Sequence, residues 1–235
     1  MKYTGTELEF FASAVNWKMY IGRQLSPYIF GDVLDVGAGI GATPPFLYNG
    51  RVRSWTCLEP DTKLAKNLED RRKPLGGSIV PRITTGVLPN LGQDYHFDSI
   101  LYIDVLEHIE DDRGELQQAA AYLNPNGTLV VLAPAHAMLF SEFDRALGHY
   151  RRYSLSTLRR ISPIGVQAEK SFYMDSLGFL VSLSNWWILH QAAPTQHQIL
   201  LWDRMIVPLS RITDRLTARR TGKSVVTVWR KFGAE

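Results

Sequence analysis

A glycine-rich loop follows the first apolar strand that the sequence predicts. The apolar run 33–36 leads into three glycines at alternate positions: Gly37, Gly39 and Gly41. Side chains there would block an approaching ligand or require an unfavourable φ angle. The loop therefore offers bare backbone to a nucleotide-like ligand. Residues 43–47 are expected to begin a helix whose N-terminal N–H groups and dipole face the same ligand.

An acidic residue lies at a distance along the chain that suits a ribose. Glu59 ends the next apolar segment, 55–58, about 20 residues after the glycine loop. A carboxylate at that spacing can accept hydrogen bonds from the two ribose hydroxyls, so an adenosine-containing cofactor is predicted. Gly37, Gly39 and Ala42 also fit the dinucleotide pattern G-x-G-x-x-G/A. The glycines alone therefore leave a nicotinamide cofactor open.

The segment 141–154 is the second concentration of chemically useful side chains. It combines acidic residues, one histidine, three arginines and two tyrosines in a predicted loop, which is costly unless these groups bind a ligand or one another. Asp144 can orient His149 as a general base, since histidine exchanges protons near neutral pH. Arg151 and Arg152 can grip a phosphate or a carboxylate. An internally paired loop is the equal alternative.

Alternating segments of strand and helix length position these residues. Strands are predicted at 33–36, 55–58, 79–83, 97–103, 128–132, 166–173 and 225–231. Helices are predicted at 8–28, from an N-cap at Thr62 to about 72, at 113–123 and at 155–161. Short connections between strands and helices indicate an α/β fold with a doubly wound, mostly parallel, Rossmann-like sheet of seven strands.

Two connections, 134–154 and 174–223, are longer than such a fold requires. In open α/β sheets, ligands bind beyond the carboxyl ends of the strands. Both connections are therefore expected to begin at that rim and to cover the site. We accordingly divide the chain into a cofactor-binding domain, residues 1–173 plus 224–235, and a helical cap inserted before the last strand, residues 174–223.

The cap combines apolar residues with arginine. Its first half carries an aromatic-rich apolar patch of Phe179, Leu180, Leu183, Trp186, Trp187 and Leu189. Its second half is an amphipathic helix, expected to bend or divide at Pro208. The apolar positions of that helix are Ile199, Trp202, Met205, Ile206, Leu209, Ile212 and Leu216, and the arginines are Arg204, Arg211, Arg215, Arg219 and Arg220. The pattern fits a lid packed on its own domain, or a helix at an anionic membrane surface. No RNA-binding module is recognisable.

Charge divides the chain unevenly. The net charge of +3 combines −6 for residues 1–144 (12 Lys+Arg, 18 Asp+Glu) with +9 for residues 145–235 (14 against 5). The basic part suits a phosphate, an anionic substrate or a membrane surface, and equally a solvated basic face. A single cysteine, Cys57, excludes an internal disulfide. No signal sequence or bilayer-spanning run is recognisable, so a cytoplasmic protein is expected. Peripheral contact with the inner face of the membrane through 177–220 is left open.

Four ordered segments resemble class I S-adenosylmethionine-dependent methyltransferases. They are 33–41, the step Leu58-Glu59-Pro60-Asp61, 100–109, and the proline-glycine turn with its following strand, 123–130. The resemblance covers residues 32 to 133 and lies in the order and spacing of the set. It implies the seven-stranded fold of that family and S-adenosylmethionine as the cofactor.

The resemblance also implies which residues contact the cofactor. Asp35 and the glycines surround its amino-acid part, and Glu59 binds the ribose hydroxyls. Segment 85–87 follows strand three, where the family contacts adenine, although the usual acidic residue is absent. Asp104, after strand four, faces the surroundings of the methyl group. The cofactor-binding residues implied are Asp35, Gly37, Ala38, Gly39, Gly41, Glu59, Pro60, Gly86, Val87, Asp104 and Val105.

The D-x-x-x-G-H-x-R-R-Y arrangement from Asp144 to Tyr153 resembles a bacterial subgroup linked with glycosyltransferases and glycolipid or polysaccharide assembly. It implies a small-molecule acceptor or one linked to lipid or sugar, and no nucleic-acid partner. Oxygen is the favoured acceptor atom, with His149 and Asp144 catalytic, because a hydroxyl requires a base. The residues expected near the acceptor are His108, Tyr150, Arg151, Arg152 and Tyr153. In the family, the position of His108 commonly supports the loop. No metal is predicted.

Two other functions remain open at this level. A nicotinamide-dependent oxidoreductase would require a catalytic Tyr/Lys or Cys/His pair, for which the sequence offers no convincing candidate. A non-catalytic accessory protein of glycan assembly at a membrane surface would retain the cofactor fold without activity.

Overall fold

The computed structural model describes residues 11–92, 94–184 and 195–233, which form a seven-stranded sheet flanked by helices. The strands are β1 Gly31–Val36, β2 Val52–Glu59, β3 Arg82–Thr85, β4 Phe97–Ile103, β5 Leu123–Pro134, β6 Val166–Met174 and β7 Ser224–Lys231. Their order is β3-β2-β1-β4-β5-β7-β6. Strands β1 to β5 are parallel, and β7 is antiparallel to β5 and β6. The prediction of an α/β, mostly parallel, Rossmann-like sheet is confirmed.

Helices cover both faces of the sheet. They are α1 Val15–Leu25, α2 Pro44–Leu47, α3 Thr62–Arg71, α4 Asp112–Ala121, α5 Glu142–Ala146, α6 Leu155–Arg160, α7 Ser176–Ser184, α8 Gln196–Leu201 and α9 Val207–Leu216. Leu34 of β1 shares one apolar cluster with Leu116 of α4, and its neighbour Val33 shares the other with Ile21 of α1. Burial on both faces explains why the central strands read as continuous apolar runs.

Several element boundaries differ from the prediction. The first helix begins at Val15, and residues 8–10 lie outside the described residues. Asp61, not Thr62, is the N-cap of α3, because its carboxylate accepts the N–H groups of Lys63 and Leu64. Strand β3 occupies 82–85 instead of 79–83. Pro81 has no N–H to donate, so the strand starts after it.

Helix α2 is a single turn, so the expected contribution of a helix N-terminus to ligand binding is not supported. Its four residues begin with Pro44 and Pro45. Neither proline has an N–H group to offer a ligand, and one turn contributes little dipole.

The carboxyl ends of the parallel strands form one rim of the sheet. Strand β6 also ends there, because it is antiparallel to β7, which is itself antiparallel to β5. The connections that follow β5 and β6 therefore both start at this rim. The second connection contains α7, α8 and α9, and the proposed division into a domain and a cap at 174–223 stays a prediction.

The second half of this connection is one helical run, 196–216, which we call the cap helix. It comprises α8, a π-helical turn Trp202–Ile206 and α9. The helix was predicted to bend or divide at Pro208, but it continues through a π-helical turn just before this residue. Pro208 has no N–H to donate to the carbonyl four residues earlier, and the π-helical turn accommodates the missing hydrogen bond. Trp186, Trp187 and Leu189 lie outside the described residues. No helix among the described residues has the length and apolar composition to cross a bilayer.

Candidate functional site

The glycine loop leaves β1 in a left-handed backbone conformation at alternate residues. The φ angle is +65° at Gly37, +59° at Gly39 and +71° at Gly41. A Cβ at Gly37 would lie 2.7 and 2.8 Å from the two methyl groups of Val105. The N–H groups of Gly37 and of Ala38, which follows it, both point to the Leu58 carbonyl of β2, at 2.7 and 3.4 Å respectively. Glycine is thus required for the path of the loop as well as for an open backbone surface.

Glu59 is held against this loop. Its Oε2 accepts the N–H of Gly39 at 2.8 Å, and its Oε1 accepts the N–H of Asp61 at 2.9 Å. Burial raises the pKa of Glu59, and the two N–H groups oppose that shift. Each carboxylate oxygen has a second lone pair, so Glu59 can accept ribose hydroxyls without releasing the loop. The residues present therefore fit an adenosyl group.

The rest of the predicted cofactor residues border the same part of the rim. Asp35 is 4% exposed near the end of β1, where burial raises its pKa to about 7. Pro60 follows Glu59 directly. Gly86, after β3, donates its N–H to the Glu59 carbonyl at 3.0 Å, and Val87 beside it is 46% exposed. An exposed valine at this edge is suited to contact an adenine ring.

Asp104 leaves β4 at the centre of the rim. Its φ angle of +54° is unusual for a residue other than glycine, and its N–H donates to the Leu132 carbonyl of β5 at 2.9 Å. Such strained residues cluster at functional sites. The residue is exposed to solvent. The surrounding protein raises the pKa of Asp104, while His149 and Lys223 oppose the shift.

Asp144 holds His149 in the connection after β5. Asp144 Oδ1 lies 2.9 Å from Nδ1 of His149, and Arg152 donates to both oxygens of the same carboxylate at 2.9 and 2.8 Å. Burial alone would raise the pKa of Asp144. The hydrogen bonds from His149 and Arg152 outweigh burial, so the pKa of this carboxyl lies well below its usual range. An ionised Asp144 favours a proton on Nδ1, which leaves Nε2 of His149 able to accept one.

Local sequence explains why Asp144 is so well fixed. Ser141 is the N-cap of α5, and its hydroxyl accepts the N–H of Asp144. In return, Asp144 accepts the N–H of Ser141 at 2.8 Å. This reciprocal capping box fixes the aspartate before any tertiary partner is added.

The two arginines of this connection have protein partners, and their contact with the acceptor stays a prediction. Arg152 binds Asp144 through two nitrogens, as described above, and its third donates to the Ala135 carbonyl at 3.5 Å. Arg151 pairs with Asp112 at 2.8 Å and donates to the Glu110 carbonyl at 2.7 Å. Because their donors are used within the protein, these arginines brace the loop. The contacts favour the internally paired alternative.

The two tyrosines differ from each other. Tyr153 is 2% exposed, and its hydroxyl donates to Asp112 at 2.9 Å and to the Leu106 carbonyl at 3.1 Å. These contacts support a structural role for Tyr153, and its place near the acceptor stays a prediction. Tyr150 is 50% exposed, so its side chain is still open to a ligand.

His108 and Glu107 lie beside His149. The two histidine rings meet edge to face with centroids 4.5 Å apart, and burial followed by the charge of His149 lowers the pKa of His108 to about 4. Glu107 is 1% exposed, and its Oε2 has no hydrogen-bond partner in the described parts of the chain. Potential ligand atoms of Glu107, His108 and His149 lie within 4.8 Å of one another, so these residues are able to hold a divalent cation. The expected absence of a metal stays a prediction.

Two residues that sequence reasoning missed lie at the same rim of the sheet. Lys223 precedes β7, and its Nζ lies 4.7 Å from the centroid of the Trp202 ring. His136 follows β5, and its ring stacks on Tyr173 at 5.1 Å and meets Phe179 of α7 at 4.6 Å. A lone lysine and a lone histidine give no spacing signal. Only their positions next to strand ends could have suggested them.

Comparison with known proteins connects this arrangement to a family. A family model described as a methyltransferase domain matches residues 22–162. The demethylmenaquinone methyltransferase of Tropheryma whipplei is 32% identical over 154 residues, which are 64% of this chain and 61% of that protein. The chain therefore spans less than two thirds of the length of this relative.

Solved structures share the fold at low identity. An S-adenosylmethionine-dependent methyltransferase from Clostridium acetobutylicum has a TM-score of 0.57 and 11% identity, covering 94% of this chain and 93% of its own. The N-methyltransferase NodS of Bradyrhizobium japonicum, in complex with S-adenosyl-L-homocysteine, has a TM-score of 0.58 and 13% identity, covering 93% and 88%. Since the family match extends over more than half of the chain and contains the glycine loop, Glu59 and Asp104, the chain belongs to the class I S-adenosylmethionine-dependent methyltransferases.

Proposed function

We propose that this enzyme transfers a methyl group to a hydroxyl oxygen of an acceptor linked to lipid or sugar, with His149 as the general base. S-adenosylmethionine supplies the electrophilic methyl group, and a hydroxyl attacks it poorly unless its proton is removed. The observation that carries the proposal is the His149–Asp144 pair at 2.9 Å, fixed beside Asp104 at the rim.

The neighbours of His149 have different roles in the proton transfer. Asp144 orients the ring and, held by Arg152, stays ionised instead of taking the proton. Nε2 of His149 accepts the proton of the acceptor hydroxyl. The imidazolium that forms is stabilised by Asp144 and by the nearby carboxylate of Asp104.

Two observations support a lipid- or sugar-linked acceptor. The segment from Asp144 to Tyr153 resembles methyltransferases linked with glycolipid and polysaccharide assembly. The ammonium group of Lys223, just before β7, has no carboxylate within ion-pair distance in the described part of the chain, so it suits an acceptor that carries phosphate or another anion. The similarity to a demethylmenaquinone methyltransferase adds a quinone to the acceptors that need testing.

The proposal is tested by identifying the product. The purified enzyme is incubated with methyl-deuterated S-adenosylmethionine and separate acceptors: lipid-linked sugars, sugar phosphates and a reduced quinone. Mass spectrometry is expected to show the label as an O-methyl group on a lipid- or sugar-linked acceptor. Label found only on nitrogen or carbon would contradict a role for a hydroxyl base.

Replacing Glu59 with alanine is expected to weaken S-adenosylmethionine binding by about 1–3 kcal/mol, because charge-assisted hydrogen bonds to the ribose are lost. Titration calorimetry measures the change. Glu69→Ala is the matched control, since that glutamate is exposed on α3, and it should bind as wild type does. If Glu59→Ala also binds as wild type does, the ribose lies elsewhere.

Removing metal ions is expected to leave turnover unchanged. A base at His149 requires a free Nε2, whereas a cation held by Glu107, His108 and His149 would occupy a ring nitrogen. Turnover is compared before and after dialysis against a chelator. Activity that is lost on dialysis and restored by Mn²⁺ or Zn²⁺ would replace the base with metal-assisted activation of the hydroxyl.

A further inference from the structure

The cap helix turns its polar side chains toward the protein. Its inner face consists of residues at 4-4-3-4 spacing, which share one side of a helix. They are at most 4% exposed and comprise Ile199, Asp203, Val207, Ser210 and Asp214. Two carboxylates and a hydroxyl thus occupy positions that an ordinary surface helix fills with apolar residues.

Buried hydrogen bonds fix this orientation. Asp203 accepts the N–H of Trp17 at 2.8 Å, at the start of α1. Asp214 accepts the N–H of Ser176 at 2.8 Å, at the start of α7, and the hydroxyl of Tyr20 at 2.7 Å. Rotating the cap helix would leave these buried groups unpaired, which costs free energy for each of them.

The opposite side of the cap helix is therefore held toward solvent although it is apolar. This outer face has the same 4-4-3-4 spacing, displaced by two residues. Its members are Leu201, Met205, Leu209, Ile212 and Leu216, which are 53%, 57%, 50%, 58% and 80% exposed. Leu180 and Val181 of α7 are 53% and 50% exposed as well. A run of exposed large apolar residues along one helix marks an interaction surface.

Arginine borders the outer face. Arg204, Arg211 and Arg215 directly precede Met205, Ile212 and Leu216, so they lie along one edge of the apolar row. Residues 176–223 contain six Lys and Arg against two Asp and Glu. Both acidic residues, Asp203 and Asp214, belong to the buried inner face. The outer face consequently presents apolar area and positive charge without a compensating carboxylate on the cap helix.

We infer that the outer face docks on an anionic lipid bilayer, with the cap helix lying in the plane of the interface. Apolar side chains enter the boundary between headgroups and acyl chains, and neighbouring arginines reach the anionic headgroups. Charge complementarity favours this occupant over a second copy of the chain, whose outer face carries the same positive sign and would repel its own arginines.

Docking there would place the bilayer next to the acceptor side of the site. Helix α7 carries Leu180 and Val181 toward solvent, while its Phe179 contacts His136 at 4.6 Å. One helix thus links the outer face to His136, at the rim where β5 ends. This inference deepens the proposed function, because a lipid-linked acceptor is presented at that surface, but lipid binding is measurable without methyl transfer.

Vesicle co-sedimentation tests the inference. The wild-type protein is expected to bind vesicles of phosphatidylcholine mixed with phosphatidylglycerol, and to bind vesicles of phosphatidylcholine alone much less. Added salt is expected to weaken its binding to the mixed vesicles. The double variant Ile212→Ser and Leu216→Ser is expected to lose about tenfold or more in partitioning. Its matched control is Val80→Ser with Ile164→Ser, which are 53% and 82% exposed outside the cap; this control should bind as wild type does.

A charge variant separates the electrostatic part. Arg204→Gln with Arg215→Gln is expected to lose about tenfold in binding to the anionic vesicles. The control Arg159→Gln with Arg160→Gln removes two exposed arginines from α6 and should leave binding unchanged. If both pairs of variants lose vesicle binding equally, the attraction between protein and vesicle is unspecific, and the proposed docking surface is overturned.

Other occupants give different results. If wild type fails to bind anionic vesicles and light scattering shows a dimer that Ile212→Ser with Leu216→Ser dissociates, a second copy covers the face. If wild type fails to bind and that variant instead unfolds at a lower temperature as a monomer, the chain itself covers the face. Either outcome overturns the inference. Calorimetry on the same preparations measures S-adenosylmethionine binding, so a lost docking surface is distinguished from a failure of the proposed function.

Discussion

Valine at position 39 is expected to abolish S-adenosylmethionine binding while the sheet still folds. Gly39 has a φ angle of +59°, a conformation that is strongly strained for a β-branched residue. Its side chain would stand on the loop surface where the cofactor lies. Its N–H also holds Glu59 at 2.8 Å, so a shifted loop would misplace the ribose carboxylate. Titration calorimetry should show no heat of binding, against a clear isotherm for wild type.

A second glycine variant makes this result specific. Gly50 lies in the turn before β2, and a Cβ there would meet no atom within 4 Å. Gly50→Val should therefore bind the cofactor as wild type does, with a similar thermal midpoint. Retained affinity in Gly39→Val would place the cofactor away from the glycine loop. A grossly unfolded circular dichroism spectrum would instead mean that the valine disrupts the sheet.

Glutamine at position 149 is expected to lower turnover about 10²–10⁴-fold, the usual contribution of a general base, with cofactor affinity near that of wild type. Glutamine keeps a polar side chain at the position but does not accept a proton near neutral pH. Steady-state kinetics with the identified acceptor measure the change. His96→Gln is the control, because His96 is exposed away from the site.

Asp144→Asn tests the same pair from its other side. An amide keeps the size of the carboxylate but no longer favours the tautomer that leaves Nε2 of His149 free, so turnover should also fall. The double variant His149→Gln with Asp144→Asn should be no slower than the slower single variant, since both act in one unit. Unchanged turnover in His149→Gln would leave His149 with a structural role only.

The sheet was largely predictable because its signal is local. Strand β4 has the predicted bounds, 97–103, because its second half, 100–103, is an unbroken apolar run of the kind that a strand buried on both faces shows. The prediction for β3 was displaced because an apolar pattern alone does not show that Pro81 interrupts the hydrogen-bonding ladder. The cap helix passes Pro208 because a π-helical turn accommodates the missing N–H, which periodicity alone does not reveal.

By itself, the sequence determined the glycine loop, its pairing with Glu59 and the family. The loop and Glu59 belong to one strand-loop-strand unit, in which spacing along the chain fixes spacing in three dimensions, and the family follows from four ordered segments between residues 32 and 133. The tertiary structure alone decided that Arg152 pairs with Asp144, and that Lys223 lies close enough to Asp104 to oppose the rise of its pKa. It also decided which side of the cap helix faces water, through a hydrogen bond between Asp203 and Trp17, 186 positions apart. Contacts between residues so distant in sequence depend on the packed sheet that brings them together.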